Sequence, residues 1–272
     1  MNTSELTKEL INKFKTLSEV YLVGITGSNR DGNSDEYSDV DLFVCSTDME
    51  STKDAYKKLI TEISPIIQIS PFFYDLPNVI NEIIYLKNFS PYQKIDLTIV
   101  PYTGYLPDFN PEMSIVFEKP VDQKESVSTI PALTADMETI DMSLGMYAGF
   151  ILGFAKSFHR KNISIYRYWT FLKDKVLVLL FEKYFGWSNF YSQSRISAED
   201  QKKLFLNLNQ EDRWSLEKIM PISGNLDLVE SFKLVVETYL DLTQLKSESL
   251  NSSINLEFID YLKEFVKKEI RR

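Results

Sequence analysis

Apolar residues first recur at helical spacing: Leu6, Leu10, Ile11 and Phe14 fall on one side of residues 4–16, with Asn2, Thr3 and Ser4 available as caps. The pattern then tightens into short apolar runs bounded by turn residues, which predict buried strands at 21–25 and 40–45. A second amphipathic helix is expected over 51–63, where Ala55, Leu59, Ile60 and Ile63 line one side and Pro65 stops the run. Residues 66–73 and 94–100 read as further strands, 79–86 fits either state, and 113–117 offers a last strand. This alternation predicts a sheet with helices packed on it.

Beyond about residue 111 the texture changes. Residues 120–131 are polar and flanked by Pro120 and Pro131, and after them the apolar spacing is helical at 135–160, 164–185, 198–207, 225–245 and 256–270. The expected architecture is therefore α+β: an N-terminal mixed sheet with helices over residues 1–120, then a C-terminal α-helical bundle over 121–272. No internal repeat or low-complexity tract interrupts either half.

Composition narrows the setting. The chain has 272 residues, 44% of them hydrophobic and 25% charged, which suits an ordinary globular protein of two domains. No run approaches the roughly 20 apolar residues that span a bilayer, and the N-terminus lacks a signal-peptide core, so a cytoplasmic location with no membrane partner is expected. Cys45 is the single cysteine, which rules out an internal disulfide, and no Cys/His cluster suggests zinc. Thirty Lys and Arg against 39 Asp and Glu give a net charge of −9. Such a surface disfavours extended nucleic acid, whose binding depends on neutralising phosphates, and suits a cationic small molecule better.

Two carboxylates then stand out. Asp39 and Asp41 are two apart at the root of an apolar strand, so both side chains leave one face, roughly 6.5 to 7 Å apart at their bases. Two like charges beginning a buried strand call for a cation between them. Divalent ions liganded by carboxylates can clamp both the attacking and the leaving oxygens of a phosphoryl transfer, and magnesium prefers such oxygen ligands. The preceding Gly27–Ser28 turn would let backbone N–H groups and a hydroxyl approach a phosphate. Arg30, in the same loop, is a further candidate phosphate contact. Asp96, inside the apolar run 95–100, is costly there unless paired or metal-bound, and is the candidate third carboxylate.

These residues carry a resemblance. Gly27–Ser28, then Ser38-Asp39-Val40-Asp41-Leu42, then a lone strand aspartate are similar to the nucleotidyltransferase superfamily that includes DNA polymerase β and the antibiotic adenylyltransferases. Within it, TGSNRDGNSDEYSDVDLFVCSTDMES and KIDLTIVP most resemble the streptomycin (aminoglycoside) 6-adenylyltransferases, over about residues 20–120; the helical half is similar in architecture only. The resemblance implies a sheet domain that binds ATP and magnesium, two ions being expected, and a helical domain that closes on an aminoglycoside. Gly27 and Ser28 would contact the triphosphate, Asp39 and Asp41 would ligate metal, and Asp96 would serve as third ligand or base. The implied reaction is attack of an acceptor hydroxyl on the α-phosphate of ATP with release of pyrophosphate, conferring antibiotic resistance.

Alternatives stay open: a lincosamide or another small-molecule acceptor, a protein acceptor as in an antitoxin pair, or a nucleotide-binding module without catalysis. The family often places a glutamate base early in the helical domain, but the run 143–158 carries no carboxylate, which leaves Glu138 and Asp141 just upstream as candidates beside Asp96. Lys156, Arg160 and Lys161 read as cations complementing a helix end. His159, the only histidine, has no triad partners in view. Tyr147, Phe150, Phe154, Tyr166, Tyr168 and Trp169 recur at helical spacing and read as core.

Overall fold

The computed structural model describes residues 1–71, 79–102, 113–120, 139–188, 195–220 and 227–270. The chain divides into two compact units, Met1–Asp136 and Met137–Arg272. The polar stretch 120–131, expected to hold the boundary, lies almost wholly outside the described residues, as do the end of the strand expected at 66–73 and the starts of the helices expected at 135 and 225.

The first unit runs α1 (Thr3–Phe14), β1 (Val20–Ile25), a four-residue turn of helix α2 (Gly27–Arg30), β2 (Val40–Ser46), α3 (Met49–Ile63), β3 (Ile66–Pro71), β4 (Ile80–Leu86), β5 (Ile95–Pro101) and β6 (Ser114–Glu118). Its helices start where the sequence supplies caps: Asn2 accepts from the Glu5 N–H in a reciprocal capping box, and Asp48 accepts from the Ser51 N–H. The six strands form one mixed sheet in the order β3-β4-β5-β2-β1-β6, in which β2 and β5 pair parallel and every other pair is antiparallel. The ambiguous segment 79–86 becomes β4 because it lies between β3 and β5 and bonds to both.

Alternation along β2 and β5 decides what each face of the sheet carries. Val40, Leu42, Val44, Ile95, Leu97 and Ile99 join Leu6, Leu10, Phe14, Tyr56 and Ile60 of α1 and α3 in one buried core. The residues between them point to the other face, where Phe43, Cys45 and Val100 pack with Leu22 in a smaller cluster. Asp41 and Asp96 share that second face.

The second unit contains α4 (Ile140–His159), α5 (Ile165–Phe185), α6 (Ala198–Asn207), α7 (Gln210–Ile219), α8 (Leu228–Ser249) and α9 (Leu256–Glu269), with no strand among its described residues. Five of these match the apolar spacing; α7 does not, because it buries only Leu216 and Ile219. Its signal was polar: Asn209 caps the Asp212 N–H, and Glu211 and Asp212 occupy the first turn. The aromatic stripe is mainly core: Phe154 stacks on Phe232, Tyr147 packs on Tyr239, and Trp169 Nε1 donates to Ser231 Oγ at 2.9 Å, while Tyr166 is exposed. No helix among the described residues is long and apolar enough to cross a membrane.

Candidate active site

The parallel register of β2 and β5 builds an acidic corner at the start of both strands. Val40 lies opposite Ile95 and Asp41 opposite Asp96, and the Val40 N–H donates to the Lys94 carbonyl at 3.0 Å. With a period of two along each strand, Asp39, Asp41, Lys94 and Asp96 emerge on the same face, away from α1 and α3. The loop before Asp39 is closed on itself, since Ser38 Oγ donates to Asp35 Oδ1 at 2.8 Å and receives the Asp35 N–H at 2.9 Å.

The turn after β1 approaches from the next strand. Gly27 adopts φ +64°, a left-handed conformation that favours glycine, and a Cβ there would clash with Asp41 Oδ2. Glycine is therefore required twice, by its backbone and by the carboxylate beside it. Asn29 Nδ2 donates to the Asp39 carbonyl at 2.7 Å and ties this turn to the lead-in of β2. Ser28 follows Gly27 in the turn, and Arg30 pairs with Asp31 through Nε at 2.6 Å.

Lys94 dominates the electrostatics. Its side chain is buried, and Nζ lies 2.8 Å from Asp39 Oδ2 and 2.5 Å from Asp96. Burial alone would lower the pKa of this ammonium, but the Asp96 and Asp39 carboxylates outweigh it and hold the value well above that of an ordinary lysine. Asp39 and Asp96 are thus brought together through a cation supplied by the chain. Among the described residues, no group of three His, Cys, Asp or Glu side chains is arranged to hold a metal ion.

The donor set nonetheless suits a hard cation on one side of the corner. Asp39 and Asp41 offer carboxylate oxygens from one face, and Asp41 Oδ2 lies against the Gly27 turn. The Asp39–Asp96 side is filled by Lys94. Lys94, within KIDLTIVP, and Asn29 are the two residues of the corner that the motif resemblance leaves without a role. A lysine two positions before a buried strand aspartate, hence on its face, was the available signal for the first.

Other candidates lie elsewhere. Asp141 Oδ1 accepts the Asn255 N–H at 2.9 Å, joining the start of α4 to the start of α9. Glu138 lies outside the described residues. His159 Nε2 stands 3.7 Å from Glu269 in the helical unit. Burial pushes the Cys45 thiol up to about 12, which leaves no thiolate for nucleophilic chemistry at neutral pH.

A family model described as a nucleotidyltransferase domain matches residues 7–99, a span that begins in α1 and includes Gly27, Asp39, Asp41, Lys94 and Asp96. No curated protein sequence matches the chain. Among solved structures, the chain is similar to an aminoglycoside 6-adenyltransferase from Bacillus subtilis at 14% identity and a TM-score of 0.33, covering 97% of this chain and 98% of that one. It is also similar to a STING-associated CdnE c-di-GMP synthase from Capnocytophaga granulosa at 14% identity and a TM-score of 0.28, covering 91% and 81%. Scores this low do not bear on substrate.

Proposed function

We propose that this chain, whose residues 7–99 form a nucleotidyltransferase domain, transfers AMP from ATP to a hydroxyl of a cationic small molecule, an aminoglycoside of the streptomycin kind. Nucleotidyl transfer is the activity such a domain carries, and it makes the chain a transferase enzyme. The observation that supports the reading most is the acidic corner, where Asp39, Asp41 and Asp96 share one sheet face beside the Gly27 turn. The choice of acceptor draws support from the net charge of −9, which favours a polycation, and from the motif resemblance already described. A cytoplasmic setting supplies the ATP and magnesium.

Asp39 and Asp41 are the residues that would hold magnesium, with Asp96 as the third acid of the corner. Bound there, the ion would supply charge neutralisation to the triphosphate and a fixed geometry at the α-phosphorus. The left-handed Gly27 backbone permits close approach of a phosphate, and the Ser28 hydroxyl and Arg30 guanidinium stand in the same turn as donors. Asn29 keeps that turn in register with Asp39, so donors and acids move as one piece. The chain's contribution is therefore positioning and preorganised charge, and no covalent intermediate on the protein is needed.

Pyrophosphate release from ATP with magnesium, measured across a panel of aminoglycosides and lincosamides, tests this. Release with a streptomycin-like acceptor is expected; none with any member would end the antibiotic reading.

A further inference from the structure

We propose that Thr3 is a positioning residue for the acidic corner, its hydroxyl clasping the backbone just before Asp39 to the side chain just before Lys94; this rests on the nucleotidyl-transfer reading above.

The parallel ladder starts at Val40 and Ile95, so Asp39 and Lys94 stand one residue before it. The two strands are joined through α3, β3 and β4, with no tight turn to set their first residues against each other. Thr3 supplies that link from a third element. Its Oγ1 donates to the Ser38 carbonyl at 3.2 Å and accepts from Gln93 Nε2 at 3.4 Å, and Ser38 and Gln93 are the residues that precede Asp39 and Lys94. Gln93 Nε2 also donates to the Met1 carbonyl at 3.4 Å, and its Oε1 accepts from the Ser90 N–H at 3.3 Å, which orients the amide. One residue further out, the Tyr37 ring packs edge-to-face on Tyr92 with centroids 5.2 Å apart. Thr3 is itself held. It is the buried first residue of α1, behind the Asn2–Glu5 capping box, and its carbonyl accepts from Thr7 Oγ1 at 2.8 Å, while Leu6, Leu10 and Phe14 anchor the helix in the core. A bond that only docked α1 would need one partner in the sheet; this hydroxyl uses its donor on one strand start and its acceptor on the other. The span matched by the nucleotidyltransferase model begins at residue 7, so Thr3 lies outside it.

Kinetics and amide exchange on the full chain test this together. Thr3→Val removes the hydroxyl at nearly constant shape, Thr3→Ser keeps it, and Thr7→Val removes a hydroxyl one turn along α1 that bonds within its own helix. In Thr3→Val, kcat for pyrophosphate release from ATP with magnesium is expected to fall about tenfold while KM for ATP stays within about twofold, because misplaced acids cost the transition state more than the bound nucleotide. The Val40 amide, whose N–H bonds the Lys94 carbonyl between the two strand starts, is expected to exchange about tenfold faster by NMR. Thr3→Ser and Thr7→Val should match wild type in both. An unchanged kcat or an unchanged Val40 amide in Thr3→Val, or the same losses in Thr7→Val, would overturn the proposal. Should Thr3→Val fail to fold by circular dichroism, Gln93→Met breaks the other half of the clasp and takes its place. The amide measurement needs no turnover: if wild type transfers no AMP but Thr3→Val still frees the Val40 amide, the nucleotidyl-transfer reading fails and the clasp stands.

Discussion

Each unit buries a lysine against carboxylates, and the two sites differ in their charge balance. In the helical unit, Lys246 on α8 meets Glu182 on α5 at 2.6 Å, a pairing of one cation with one anion inside the bundle. The helical pair joins α5 to α8 and leaves Glu182 Oε1 without a hydrogen-bond partner. In the sheet unit one ammonium, that of Lys94, faces two acids, with a third in register beside them. The contrast sets a pair inside the helical bundle against a cluster at the start of two parallel strands beside the Gly27 turn.

The largest expected effect lies in the helical unit. Lys246→Met strands Glu182, whose Oε1 already has no hydrogen-bond partner, and should cost about 3 to 5 kcal/mol in urea unfolding. Lys246→Met combined with Glu182→Leu should recover most of that loss, and magnesium should recover none. In the sheet unit the reverse holds: the stability lost in Lys94→Met under a chelator should return when magnesium is added. Equal responses of the two variants to magnesium would erase the distinction.

Asp41→Asn should lower AMP transfer roughly 100- to 1,000-fold while the fold is retained, because it removes charge from the corner beside the Gly27 turn. The readout is pyrophosphate release alongside circular dichroism. Gly27→Ala should cost about 1 to 3 kcal/mol from its φ of +64° and should reduce transfer further by displacing the Asp41 carboxylate. An alanine variant with wild-type stability and rate would show that the turn has no hold on the acid.

A third buried charge sharpens the comparison with the smallest effect. Burial pushes Glu82 on β4 up to about 6 from 4.5, Lys53 partly offsets the rise and Glu50 adds to it. Glu82 Oε2 has no hydrogen-bond partner. The folded chain therefore binds this proton more tightly than the unfolded one does, so Glu82 supports the fold fully below about pH 4.5 and loses that contribution as pH rises through about 6. Glu82→Gln should raise stability at pH 7.5 by roughly 1 to 2 kcal/mol and flatten the profile between pH 4.5 and 7 in urea unfolding. A profile unchanged by the substitution would assign the pH dependence to another group.

Local patterning gave away most of the elements. The 3.6-residue spacing of Leu6, Leu10 and Phe14 and the compact run 40–45 each name a single structure, since burying such residues any other way exposes them. Segment 79–86 was undecidable alone, because a short apolar run suits either state until neighbouring strands supply its hydrogen bonds. Helix α7 was missed for the opposite reason, having too few buried residues to set a period.

The candidate site divides the same way. That Asp39 and Asp41 share a face follows from the sequence alone, because side chains on a strand repeat every two residues. That a glycine must precede them in a left-handed turn was legible from Gly27–Ser28 only as a candidate; the carboxylate of Asp41 pressed against it made it a requirement. Tertiary structure alone set Asp96 beside Asp41 and Lys94 between Asp39 and Asp96, since the register of two parallel strands joined through α3, β3 and β4 is fixed by the whole sheet and by no local pattern. The sequence thus determined which acids were present and which way two of them point, while the packed sheet decided that a lysine of the chain would stand among them.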